Sequence, residues 1–169
     1  MGKPIYEMWS GSYDLVLVDA PPAGQLLSYL RAPASIAALV PDGPIRRQAE
    51  EMRQALADET TSGLVLVTTP EELPVIETVA TLDDLAGESV IDVVDVVANR
   101  VLPALALEED PMLLGAGPYR DAALLHQGLL RQQAEWTAAL PEHTPLPFLF
   151  GVLTPGEVAA RLADAWESP

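Results

Sequence analysis

Cysteine is absent from this 169-residue chain, which excludes disulfides, cysteine-ligated zinc and thiol catalysis. A cysteine-free composition is compatible with a reducing cytosol, and a cytoplasmic location is the expectation. Basic residues are scarce: 9 Lys and Arg stand against 25 Asp and Glu, Lys3 is the single lysine, and the formal net charge is -16. A field of that sign repels nucleic acid and anionic bilayers, so neither is expected as a partner. It also opposes any anionic ligand, which would need local backbone amides, a helix start or magnesium to be held. Histidine occurs only as His126 and His143, with no His-x-x-x-His pair, which makes a zinc centre a poor expectation. No stretch approaches the roughly 20 consecutive apolar residues of a membrane span, so stable membrane insertion is not expected. The opening residues, Met1 to Ser10, show no basic segment leading into an apolar run, which argues against a signal peptide. Also missing is a glycine-rich phosphate loop ending in Lys-Ser/Thr. Lys3 follows Gly2 but precedes Pro4, and Gly115-Ala-Gly-Pro118 is too short to cradle a phosphate. Gly11-Ser-Tyr-Asp14 does not complete the Gly-x-Ser-x-Gly elbow of a serine hydrolase.

What is present is a globular composition, 49% hydrophobic despite 16 prolines. That length suits a single domain over residues 1–169 with a substantial core. Three apolar runs rich in valine read as strands buried on both faces: Leu15 to Val18, Leu64 to Thr68 and Val93 to Ala98. Asp95 interrupts the third run and predicts partial exposure or one polar contact. Between the runs lie helical patterns. Residues 44–58 open on Pro44 and carry Ile45, Ala49, Met52 and Leu56 at helix spacing. Residues 71–86 align Leu73, Ile76, Val79, Ala80 and Leu82, and Gly87 ends them. Strand and helix alternating with short joins predict right-handed crossovers in an α/β domain, with a mainly parallel sheet of about four strands. Pro103 to Pro118 reads as irregular, and residues 119–140 as a long polar helix. Leu146 to Phe150 reads as a short apolar strand that Pro147 consigns to a sheet edge. Thr154-Pro-Gly-Glu157 has the form of a capping box, with a last helix over 155–166.

Three places hold residues with chemistry to offer, and each has a plain structural alternative. Asp19 closes an apolar run, the position from which a carboxylate faces ligands in open α/β sheets and can organise magnesium. The same residue could simply cap the next turn, which Pro21, Pro22 and Gly24 would shape. Thr69-Pro-Glu-Glu-Leu73 can be a complete helix start, with Thr69 capping and Glu71 and Glu72 at the positive end. Asn99 carries a donor and an acceptor side by side, which is what an adenine edge asks for, yet Asn99-Arg100 is equally a turn. His126, among leucines in a helix, reads as half-buried or surface.

In order along the chain, Tyr13-Asp-Leu-Val-Leu-Val-Asp-Ala-Pro-Pro-Ala-Gly24, Leu66-Val-Thr-Thr-Pro-Glu-Glu-Leu-Pro-Val75 and Val96-Val-Ala-Asn-Arg-Val-Leu-Pro103 resemble landmarks of the ArsA-type anion-transporting ATPases. That family includes the arsenite-pump ATPase and the ATPase that targets tail-anchored membrane proteins. The resemblance covers residues 5–103 and, more loosely, 119–166. It implies a partial P-loop-NTPase-like three-layer fold, with ATP and magnesium as cofactors. Asp19 then corresponds to the acidic residue of the magnesium side, and Ala20 to Gly24 to the second switch. Asn99 corresponds to the adenine contact, with Arg100 beside it, and Pro147 and Phe148 lie in the segment that closes over the base. Family members act as dimers, so a homo-oligomer or a partner ATPase subunit is implied. Departures are as telling. Gly24-Gln-Leu26 stands where the family often has Gly-His-Thr, the phosphate loop is missing, and no cysteine is available to bind arsenite. The expectation is the C-terminal portion of such an ATPase, as a fragment or divergent subunit, inactive alone for lack of the phosphate loop. The alternative is a nucleotide-independent interaction module that pairs with a complete ATPase. Missing upstream strands would leave a sheet edge and apolar faces uncovered.

Overall fold

A computed structural model of the protein describes residues 2–105 and 115–167. Within them run α1 (Gly2–Trp9), α2 (Ala23–Leu39), α3 (Pro44–Ala57), β1 (Leu64–Thr68), α4 (Glu72–Ala86), β2 (Val93–Val101), α5 (Pro118–Thr137), β3 (Thr144–Pro147) and α6 (Pro155–Glu167). The strands form a parallel α/β sheet in the order β1-β2-β3. Packing divides the chain into two compact units. One comprises Met1–Leu64 with Ala80–Val94, the other Val65–Val79 with Asp95–Pro169.

The first unit is mainly helical. α2 and α3 pack on one another, and α1 also touches α3. Pro44 opens α3 behind Gly43, and the helix buries Ala49 and Leu56, seven residues apart on one face. α2 was not foreseen as a helix. It buries Leu26, Leu30, Pro33 and Ala37 at four, three and four residue steps, a helical stripe diluted by small residues and an internal proline. Arg31 of α2 makes a forked ion pair with Glu88, just beyond α4, with Arg31 Nε donating to Glu88 Oε2 at 2.7 Å. The hydrogen bond from Arg31 holds the Glu88 carboxyl below its ordinary value, while Glu88 raises the guanidinium.

The second unit holds the body of the sheet. β2 lies in the middle and is the most deeply buried segment, with Val96, Val97 and Ala98 at 4%, 1% and 0% exposure. Asp95 makes the polar contact expected of it, accepting from Thr144 Oγ1 at 3.1 Å. β3 is an edge strand, as Pro147 requires, since a proline has no N–H for a ladder. Its register with β2 pairs Val97 with Thr144, Ala98 with Pro145 and Val101 with Pro147, and shifts between Ala98 and Val101. The capping box before α6 is formed. Thr154 N donates to Glu157 Oε2 at 2.8 Å, and Glu157 N lies 3.4 Å from Thr154 Oγ1. Of the irregular stretch expected from Pro103 to Pro118, residues 106–114 lie outside the described residues.

The structure corrects two expectations. Leu15 to Asp19 forms no strand, so the expected parallel α/β sheet holds three strands among the described residues. A strand exists only through hydrogen bonds to a neighbour, and among the described residues this run has none, leaving Leu15, Leu17 and Val18 exposed at 72%, 85% and 48%. β1, expected to be buried on both faces, is buried on one. Leu64, Leu66 and Thr68 face inward while Val65 and Val67 face out, so the strand is covered from a single side.

Candidate functional site

Asp19 and Gly24 belong to the first unit. Asp19 is exposed, and with Pro21, Gly24, Gln25 and Tyr29 it borders a shallow, open depression beside the start of α2. Pro22, at φ -51° and ψ 152°, ends the turn, and its carbonyl accepts from Gln25 N at 2.8 Å and Leu26 N at 3.1 Å. Gly24 therefore stands inside the first turn of α2 rather than in the loop. Its backbone is not left-handed, and a Cβ there would meet nothing within 4 Å. Nothing local requires glycine at this position.

Among the described residues no three acidic or histidine side chains gather to hold a metal. Asp19 is a single carboxylate. Magnesium keeps several waters and is commonly bound through one or two carboxylates plus substrate phosphates, so Asp19 fits the part of one such ligand. The remaining ligands would come from water and phosphate oxygens.

Asn99, Arg100, Pro147 and Phe148 belong to the second unit, where the structure brings them together. β2 and β3 run parallel, so their C-terminal ends meet, and Val101 pairs with Pro147. Phe148 N donates to Val101 O at 2.7 Å, extending the ladder one step past β3. This is the sheet edge at which open α/β folds bind ligands. Arg100 has φ 66°, the only non-glycine residue with positive φ among those described, at the irregularity in the β2–β3 register. Asn99 Oδ1 accepts from Arg100 N at 2.9 Å, which stabilises the left-handed residue and fixes the carboxamide. Among the described residues the Asn99 Nδ2 amide has no partner, and Oδ1 retains a second lone pair. A fixed acceptor beside a free donor can match one edge of a purine.

Three more residues stand at this edge: Gln133 and Phe150, which carried no expectation of a site, and His126, which the sequence reads only as half-buried or surface. Gln133 of α5 accepts from Leu102 N through Oε1 at 2.9 Å, and its Nε2 lies 3.5 Å from Arg100 O. His126, also of α5, donates from Nε2 to Pro103 O at 2.8 Å. Its ring centroid is 6.3 Å from that of Phe150, which in turn lies 4.9 Å from Phe148. The spacing of Gln133 and His126, two helical turns apart, was a signal for a shared face, but not for what that face would meet.

Residues 44–114 match the family described as anion-transporting ATPase. Among curated proteins the chain is 34% identical over 118 residues to ATPase BagA of Mycobacterium tuberculosis, a match that covers 70% of this chain and 34% of that protein. A protein of Mycobacterium bovis, likewise named as an ATPase, matches with the same identity and coverage. The matched part is thus about a third of the length of these relatives. By these matches, and by the landmarks at Asp19, Thr69 to Leu73 and Asn99, the chain belongs to the ArsA-type anion-transporting ATPase family.

Proposed function

We propose that this chain is the base-recognising part of an ArsA-type ATPase, one that binds ATP with magnesium in company with a phosphate-binding polypeptide not contained in this sequence. The observation that carries the reading is the gathering of Asn99, Arg100, Pro147 and Phe148 at one end of two parallel strands. Asn99 offers its carboxamide to the adenine edge and Phe148 gives a ring for the base to lie against. Asp19, in the other unit, is by itself a candidate ligand of magnesium. Arg100, exposed beside Asn99, adds positive charge near an anionic ligand in a chain of net charge -16. Phosphoryl transfer depends on charge stabilisation around the transferred group, and no Gly-Lys-Ser/Thr loop is present to supply it. The chain alone therefore binds ATP weakly and does not turn it over. Magnesium-dependent ATP hydrolysis by the pure chain would overturn the reading, and so would a failure of Mg·ATP to perturb any residue of Asn99 to Val101 in an NMR titration.

A second reading, an interaction module acting on a complete family ATPase, is favoured by a specific observation. Leu15, Leu17 and Val18 in one unit, and Val65 and Val67 in the other, are apolar and exposed. In this reading the partner is a second copy or a complete ATPase subunit, and it acts in the cytoplasm. No helix among the described residues is long and apolar enough to cross a membrane. Mixing the chain with a complete family ATPase and recording both association and turnover separates the readings. Association that persists in Asn99→Ala, with no response to nucleotide, favours the module.

A further inference from the structure

Resting on the nucleotide reading, we propose that Gln133 and His126 of α5 are positioning residues for base recognition, holding the Asn99–Pro103 turn so that Asn99 can discriminate adenine from guanine. Each of the four residues after Asn99 has at least one backbone group tied down. Arg100 N binds Asn99 Oδ1, Val101 O binds Phe148 N, Leu102 N binds Gln133 Oε1, and Pro103 O binds His126 Nε2. The distances are 2.9, 2.7, 2.9 and 2.8 Å.

Such restraint has a reason. Arg100 is left-handed at φ 66°, a conformation that is unfavourable for a non-glycine residue and persists only when its surroundings over-determine it. Released, Arg100 would return to the ordinary region and turn the Asn99 carboxamide, whose Oδ1 is held by the Arg100 amide. Gln133 and His126 lie seven residues apart on α5, so one rigid helix face supplies both ties. The imidazole also links the turn to the aromatic pair, since His126 neighbours Phe150 and Phe150 packs at 58° against Phe148. These are the only two phenylalanines in the chain, and both are exposed, at 38% and 57%. A purine ring that stacked on Phe148 would thus rest on a surface indexed to the turn that reads its edge.

Discrimination follows from the held carboxamide. An Asn side chain can accept from the adenine 6-amino group and donate to N7, whereas guanine presents two acceptors, O6 and N7, along that edge. Orientation alone then separates the bases. A loosened turn lets the carboxamide rotate and accommodate either.

The test is an NMR titration of the whole chain with Mg·ATP and Mg·GTP, following the Asn99 side-chain amide and the Phe148 and Phe150 rings. ATP is expected to bind about tenfold more tightly than GTP, the worth of one oriented hydrogen bond. Gln133→Ala is expected to weaken ATP binding by about tenfold and to bring the ATP-to-GTP ratio to about one, because the lost bond is the one that orients the reader. Gln133→Glu keeps the acceptor for Leu102 N–H and should keep the preference. A purely structural role would not make base preference follow the acceptor. His126→Ala should behave as Gln133→Ala, with His126→Gln restoring the donor to Pro103 O, and it decides the matter on the same readouts if Gln133→Ala fails to fold. If both alanine variants fold and retain the full ATP preference, the positioning role is overturned while the nucleotide reading stands. If Mg·ATP perturbs neither Asn99 nor the two rings in the unaltered chain, both are overturned together.

Discussion

The tetrapeptide Leu-Val-Leu-Val occurs twice in this chain, at Leu15 to Val18 and at Leu64 to Val67, and the two copies have different fates. The second forms strand β1, with Leu64 N donating to Asp92 O at 2.8 Å, Leu64 and Leu66 buried, and Val65 and Val67 outside. The first is unpaired, and Leu17 is 85% exposed where Leu66 is 7%. Identical side chains with identical β-propensity thus give a strand in one place and an unpaired run in the other. What differs is whether a neighbouring strand is present to satisfy the backbone and a layer to cover the side chains. Asp19 and Thr68 each follow valine in these runs, but only Thr68 is held in a sheet among the described residues.

The largest expected contrast is in amide hydrogen exchange. Amides of Leu64 to Thr68 should exchange more than an order of magnitude more slowly than those of Leu15 to Asp19, because strand amides open only with their unit. Equal protection in the two runs would show that the first is paired after all. A mutational contrast comes next. Leu66→Ala should destabilise by about 2–5 kcal/mol in denaturant unfolding, as for other buried leucines. Leu17→Ala should fall within about 0.5 kcal/mol of the parent, since the side chain has little burial to lose. A cost at Leu17 comparable to that at Leu66 would mean that the first run is covered in solution.

A smaller effect tests whether local signals act without such tertiary help. Thr154 caps α6 through a box read directly from the sequence, and Thr154→Ala should cost about 1 kcal/mol in thermal unfolding. The smallest effects are in acid, and a depressed glutamate in each unit can be compared. Arg31 holds Glu88 below its ordinary value, and the Thr154 amide and hydroxyl do the same for Glu157. A carboxyl depressed in the folded state contributes stability above its unfolded value, about 4.3, and loses it as pH falls through the folded value. Glu88→Gln and Glu157→Gln should each flatten the loss of stability below about pH 4.3 and leave the slope near neutrality unchanged. Both groups are solvent-accessible, so the changes will be small.

Elements whose signals are local were legible. α3 announced itself by Pro44 and its apolar stripe, α4 by its length and Gly87, and α6 by its capping box. The stripe expected for α4 is not the buried one: Leu73 and Ile76 are exposed at 64% and 52%, and the helix buries Val75, Thr78, Thr81 and Leu85 instead. β2 was legible because Val96, Val97 and Ala98 are buried as the density of the run implies, although Val94 is 58% exposed. α2 was not legible, since alanine, serine and Pro33 blur a stripe that only Leu26 and Leu30 mark strongly. In the candidate site, Asn99, Arg100 and Phe148 were found by resemblance to a family pattern, which carries residue types and their order. Gln133 and His126 were not, because their partners are the backbone atoms of residues 102 and 103, roughly thirty and twenty-three positions away.

Composition and local order alone determined the acidic character, the lack of thiol chemistry, the starts of α3 and α6, and the family. Those properties depend on residue identity or on neighbours within a turn of the chain. Tertiary structure alone decided which Leu-Val-Leu-Val became a strand and which face of β1 was covered. It also set the left-handed turn at Arg100 and the ties that hold it. A strand is completed by a partner, a face is buried by a layer, and a strained residue is held by contacts from distant parts of the chain.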